Sequence, residues 1–361
     1  MQVHDRHLNG VRSGNRAGGV AGRRMGSWLL LAVGATVLIA SETKAEVARY
    51  EILPFMSATM SDSEFLSGAD GMPTMLAGQL RIPTKGKDRL PTMLIIHGSS
   101  GVGGTDGISD HAAKQLNKLG IATFVMDSFS PRGLTSTVTD QSRLGHLQMI
   151  YDAYRAHELL AKHPRVDPER IGVLGISRGA EASMFAAMDR FRKMHGPELG
   201  LEFATYVGFS TPCGRDYLDR TSVADRPILL LHGEADDWTP VDACRAYVEE
   251  LLQAGADARL ISYPDAGHAF EAPAVPTVLI KQAQNPRHCR IGENANHEVV
   301  NLDTGKAFDW NTDPCVERGA SVGYVEAASR QAENDLAEFL DRVFHLTQQS
   351  GASSITSTGS N

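Results

Sequence analysis

The chain has 361 residues, 42% of them hydrophobic and 6% aromatic, enough to bury one large core without a second domain. Its formal net charge of -8, with no long basic run beyond the first residues, argues against nucleic acid as a partner and points to small-molecule chemistry.

Taken in chain order, Arg6, Arg12, Arg16, Arg23 and Arg24 precede an apolar run over 28–40, and Thr43-Lys44-Ala45 offers a cleavage site before Glu46. A basic stretch followed by an apolar one predicts a secretory signal over 1–45. Left uncut, the same run would be a membrane anchor, although it is short for a span.

Residues 46–346 are expected to form one domain. Strands over 47–55 and 75–82 read as an antiparallel edge, with a Ser/Asp/Gly-rich loop over 57–71 between them. From residue 92 onward strands and helices alternate, with strands over 92–96, 121–126, 171–174, 203–207, 228–231 and 258–262. Residues 110–119 predict a helix ended by Gly120. Leu147, Ile150, Tyr151 and Tyr154 mark one face of a second, which stops at Pro164. Thr239-Pro240-Val241-Asp242 opens a third helix with Thr239 as its cap, and Ala332, Leu336, Phe339, Leu340 and Val343 stripe a last one. This alternation predicts an α/β fold, a doubly wound, mostly parallel sheet with helices on both faces. The stretch 271–322 is long for a connection and could cover a site, while the Ser/Thr/Gly-rich tail 347–361 is expected to be disordered.

The chemistry centres on Gly175-Ile176-Ser177-Arg178-Gly179, which follows the apolar run over 171–174. A strand that turns sharply into a helix holds its serine in a strained conformation, so the residues two before and two after must be small. The same letters could be an ordinary Gly/Ser turn, but here a strand precedes them and the helix-forming AEASMFAAM follows. A serine hydroxyl is a poor nucleophile at neutral pH and needs a histidine base held by a carboxylate. Asp236, after the strand 228–231, and His268, after the strand 258–262, supply both in the chain order of an α/β-hydrolase. Asp237 competes with Asp236 but suits a turn or helix cap better. His97-Gly98-Ser99-Ser100-Gly101 follows the strand 92–96, so the backbone N–H groups of Ser99 and Arg178 are the expected oxyanion donors. The glycine-rich run over 98–107 lacks the Gly-Lys-Ser/Thr ending of a phosphate loop. His111, His146, His157 and His163 read as helix-surface residues and Trp238 as packing. Neither a cofactor nor a metal is required by this mechanism.

Cys213, Cys244, Cys289 and Cys315 allow up to two disulfides in an exported protein. Cys289 and Cys315 bracket a polar, loop-like segment over 290–314 with little apolar periodicity, which makes them the preferred bridge. Cys244 could be a buried thiol or could pair with Cys213. Metal binding by Cys289 with His288 or His297 lacks a compact paired-ligand motif.

On GISRG, HGEADDWTP and DAGHAF, the chain over 75–344 resembles the dienelactone hydrolase family of α/β-hydrolases. The resemblance implies a sheet of about eight strands and Ser177, Asp236 and His268 as the triad. True dienelactone hydrolases carry a cysteine nucleophile where this chain has Ser177, and HGSSG differs from the corresponding loop of those enzymes. A serine esterase or lactonase of the wider family is therefore expected, acting on a small-molecule ester or lactone. Arg132, in the loop after the strand 121–126, resembles a position where the family sets an arginine against a substrate carboxylate; the alternative is a solvated loop charge. A serine peptidase of related fold, or a non-catalytic protein retaining the fold, are the competing functions.

Overall fold

The computed structural model describes residues 47–346 apart from 87, 104–106, 198–199 and 274, so the expected signal and tail lie outside the described residues. Each of the eight strands expected between 47 and 262 has a counterpart, and together they form one sheet. The strands are β1 (Val47–Thr59), β2 (Met72–Pro83), β3 (Leu90–Ile96), β4 (Ala122–Asp127), β5 (Val166–Ile176), β6 (Tyr206–Phe209), β8 (Ile228–Gly233) and β9 (Ala258–Tyr263), while β7 (Arg215–Asp216) belongs to a separate small sheet. The spatial order is β1-β2-β4-β3-β5-β6-β8-β9. β1 and β2 pair antiparallel and β2 meets β4 antiparallel; all later neighbours run parallel.

Strand periodicity divides the core. Met93, Ile95, Leu174, Leu229 and Leu231 face one side of the sheet, where Leu116 of α2 (Ile108–Lys118) and Phe339 and Leu340 of α7 (Glu326–Phe344) cover them. Leu94, Ile96, Val173 and Leu230 face the other, against α3 (Gln148–Ala161), α4 (Arg178–Phe185) and α6 (Val241–Gln253). Residues two apart share a face because successive strand side chains point oppositely. Burial on both faces is why these strands read as continuous apolar runs.

Three local expectations are corrected. The stretch 57–71 is not all loop: β1 continues to Thr59, and α1 (Asp62–Ser67) starts at a capping box between Ser61 and Glu64. The segment 290–314 is not merely a loop, since β11 (Ile291–Glu293), β12 (Val299–Asn301) and β13 (Lys306–Ala307) form a small sheet whose edge pairs with β7. Its backbone groups find partners even though its side chains carry little apolar periodicity. Thr239 does not cap α6; Pro240 occupies the cap position and the Thr239 hydroxyl is used elsewhere.

On either side of that sheet in sequence, β10 (Val278–Asn285) and β14 (Glu317–Val322) pair antiparallel, and β14 reaches the site through the Gly323 N–H, which donates to the His268 carbonyl at 3.1 Å. Cys289 is bonded to Cys315, with Cα atoms 5.1 Å apart, at the base of this excursion. Cys213 is bonded to Cys244, so the second pair is a bridge and not a buried thiol.

Candidate active site

The loops that leave β3, β5, β8 and β9 lie at the carboxyl ends of parallel strands, where open α/β sheets form their sites. β5 enters α4 through Ser177, whose backbone has φ 53° and ψ -116°, a left-handed conformation that L side chains rarely adopt. The flanking glycines are obligatory for steric reasons. A Cβ on Gly175 would stand 1.9 Å from the Gly179 carbonyl oxygen, and one on Gly179 would stand 2.2 Å from that of Ile96. The Ser177 N–H donates to the Phe209 carbonyl at 2.8 Å, which ties the turn to the end of β6.

Ser177 Oγ lies 2.9 Å from His268 Nε2, and His268 Nδ1 lies 2.8 Å from Asp236 Oδ2. Burial pulls the His268 pKa down, but the Asp236 carboxylate outweighs it and the net shift is upward. Burial alone would raise the Asp236 carboxyl; His268 and His232 instead hold it far below the carboxylate range. Asp236 Oδ1 accepts the N–H groups of Trp238 and Thr239 at 2.9 and 2.8 Å, and Oδ2 accepts the Thr239 hydroxyl at 2.9 Å. An anion so bonded can accept the Nδ1–H of His268, which leaves Nε2 free to take the Ser177 proton.

Asp237 has a different task. Its carboxylate accepts the Ser321 N–H at 2.8 Å, holding β14 over the site. Trp238 is more than packing, because its ring lies 4.9 Å from that of His268 and its Nε1–H donates to the Gln284 carbonyl in β10.

The loop after β3 is fixed from within. His97 is buried; its Nδ1 lies 2.8 Å from the Gly98 carbonyl oxygen and its Nε2 accepts the Ser128 N–H. Ser99 and Ser177 both line the same cavity, and the Arg178 N–H is the first of α4, without an acceptor inside the helix. Gln141 connects the two expected oxyanion donors. Its Nε2 donates to Ser99 Oγ at 3.0 Å, its Oε1 accepts from the Arg178 guanidinium at 3.0 Å, and its own N–H donates to Gln284 Oε1. No sequence pattern marks Gln141, whereas Thr239 stands in a recognisable Thr-Pro helix start that by itself suggests only a cap. The Arg178 side chain is wholly buried, which lowers its pKa to about 10, and it also donates to the carbonyls of Gln141, Leu144 and Gly145.

The cavity beside Ser177 has a volume of about 480 Å³. Ile108, Val138, Trp238, Val275, Ile280 and Val322 supply its apolar wall, the last three from the excursion after His268. Among the described residues, none of its lining side chains is charged unless His268 is protonated.

Arg132 does not belong to this wall. All five of its N–H donors are used: Nε on Thr59 Oγ1, Nη1 on the Ser128 carbonyl and Asp152, Nη2 on the Ala58 carbonyl and Asp152. Its buried carboxylate partner is in the protein itself, so neither substrate recognition nor solvation describes it. His146 and His157 also depart from expectation, since both are buried.

A doubly wound sheet that brings a serine, a histidine and an aspartate together at its strand ends is the architecture of an α/β-hydrolase. The chain belongs to the dienelactone hydrolase family, whose model matches residues 76–344. It is 27% identical over 207 residues to a putative carboxymethylenebutenolidase of Methylorubrum extorquens, covering 54% of this chain and 68% of that protein. It is 24% identical over 252 residues to an uncharacterized peptidase, YuxL, of Bacillus subtilis, covering 62% of this chain but 38% of the other. Among solved structures, a dienelactone hydrolase-like promiscuous phosphotriesterase from metagenomic libraries aligns over 81% of this chain and 98% of its own, at 14% identity and a TM-score of 0.49. Thermogutta terrifontis esterase 2 phosphorylated by paraoxon aligns over 74% and 89%, at 17% identity and a TM-score of 0.46.

Proposed function

We propose that the chain is a serine hydrolase that cleaves uncharged carboxylic esters or lactones through an acyl-enzyme on Ser177. The observation that carries this is the unbroken chain from Ser177 Oγ through His268 to Asp236, opening onto a cavity whose described wall has no cation to hold a substrate carboxylate. His268 Nε2 takes the hydroxyl proton while Ser177 Oγ attacks the carbonyl carbon. The oxygen that gains the charge is received by the N–H groups of Ser99 and Arg178. Collapse expels the alcohol, which leaves with the proton from His268, and water then repeats the sequence on the acyl-enzyme. In a lactone the expelled alcohol stays attached, and the product is a hydroxy acid.

Export is part of this proposal. The basic and apolar segment 1–45 fits a cleaved signal, and two disulfides fit an oxidising compartment. Among the described residues no helix is long and apolar enough to cross a membrane.

Purified protein should release p-nitrophenol from medium-chain acyl esters, and Ser177→Ala should lower kcat by about 10⁴-fold or more. Equal turnover by the variant refutes the nucleophile. A preference for esters carrying a free carboxylate refutes the substrate class, because no described group in the cavity offsets that charge.

A further inference from the structure

A second cavity, of about 320 Å³, lies between the sheet β11–β13 and the body of the domain. Its wall includes His146, Arg215, Tyr217, Phe308, Trp310 and the acids Asp62 and Glu298. Behind it Glu181, one turn along α4 from Ser177, accepts Arg215 Nε at 3.1 Å on one oxygen and meets His146 Nδ1 at 3.0 Å on the other. Burial would raise the Glu181 pKa, yet Arg215 and His146 hold it down to about 2, so it is an anion and Nδ1 must carry the proton. Burial, followed by the charge of Arg178, lowers the pKa of His146, which favours the neutral ring.

His146 Nε2 is consequently a bare acceptor, buried and without a hydrogen-bond partner among the described residues. The Arg215 side chain is 7% exposed, and its two terminal nitrogens have no partner among those residues either. The same is true of the Tyr217 hydroxyl, on a residue 3% exposed. Trp310 fixes the arrangement, with the His146 ring stacked on it at 4.8 Å and the Arg215 guanidinium 5.4 Å from its centroid. Donors and an acceptor left without a protein partner, all nine-tenths buried, are costly unless water or a ligand engages them.

We propose that this cavity binds a small organic carboxylate bearing a hydrogen-bond donor on the carbon next to the carboxyl group. The Arg215 fork and the Tyr217 hydroxyl receive the carboxylate, in the planar geometry that guanidinium groups favour. His146 Nε2 accepts from the neighbouring donor, and Asp62 and Glu298 disfavour a bare anion without one. Phe308 and Trp310 face the apolar body. This site does not depend on the hydrolase assignment.

The test is calorimetric titration of the full chain with 3-phenyllactate, phenylalanine and 3-phenylpropionate, which share one body and differ only next to the carboxyl carbon. Saturable binding of phenyllactate or phenylalanine is expected, at least about tenfold tighter than phenylpropionate. The tighter of the two tells whether a hydroxyl or an ammonium is the natural donor. Arg215→Met should abolish binding. Tyr217→Phe, which removes a single oxygen and so guards against misfolding of the first variant, should weaken binding about three- to tenfold and leave ester hydrolysis unchanged. Protein labelled on Ser177 by a fluorophosphonate should bind as before. Absence of saturable binding by all three compounds overturns the proposal, as does binding that disappears on Ser177 labelling or that ignores Tyr217→Phe. Equal affinity for phenylpropionate overturns the role of His146.

Discussion

Glu271 lies three residues after His268 and is 7% exposed, and among the described residues neither of its carboxyl oxygens has a hydrogen-bond partner. Burial pushes its pKa from about 4.5 up to about 7, against an opposing pull from its own backbone and His268. Between those two values the unfolded chain releases this proton and the folded chain keeps it. Stability therefore falls as pH rises from about 4.5 to 7, because the unfolded state binds fewer protons. At about 1.4 kcal/mol per pH unit the loss from this one group is at most about 3.5 kcal/mol. Glu271→Gln removes the titration while keeping the shape. Urea unfolding followed by circular dichroism, with disulfides oxidised, should give nearly equal stabilities at pH 4.5. By pH 8 the variant should be more stable by about 3 kcal/mol or slightly more. Taking the difference between the two proteins cancels every group that does not feel Glu271, and His268 is the main one that does. Parallel stability curves across this range would mean that the carboxylate is ionised and satisfied in the folded state, and would refute the reasoning.

Because His268 must be neutral to accept the Ser177 proton, kcat/KM should rise with pH through a midpoint above the ordinary histidine value of 6.5; Asp236→Asn should lower that midpoint as well as kcat, and an unmoved midpoint counts against the pair. Arg132→Met should destabilise the protein by about 3–5 kcal/mol, since it leaves Asp152 buried with only Ser57 and Gln148. Its ratio of neutral to anionic ester hydrolysis should not change, and a changed ratio would restore Arg132 to the substrate site. Cys289→Ser with Cys315→Ser opens a link between residues 26 apart and should cost about 3 kcal/mol in chemical denaturation; equal stability would show that the small sheet is held by its own pairing.

The strand periodicity, the order of helices and the three side chains Ser177, Asp236 and His268 that the fold brings together could all be read from the chain, because each rests on local rules. Apolar runs mark doubly buried strands, and the elbow motif encloses its serine between glycines that sterics demand. Cys289 and Cys315 could be paired on paper because they bracket one segment. Long-range partnership is another matter. Nothing near Arg132 announces that Asp152 will use its guanidinium, and a substrate-facing arginine has the same local sequence as one spent inside the protein. Gln141 carries no motif, yet folding sets it between Ser99 and Arg178. Cys244 became a disulfide only when α6 packed beside Cys213. The segment 290–314 looked structureless because its strands are short and polar, and their order comes from edge pairing with β7, a contact more than seventy residues away in the chain. Local sequence thus determined which elements form and which groups could react, since those depend on backbone sterics and periodicity. Tertiary structure alone decided which charges were already spent and which were left facing a cavity, since hydrogen-bond satisfaction depends on residues that are distant in sequence.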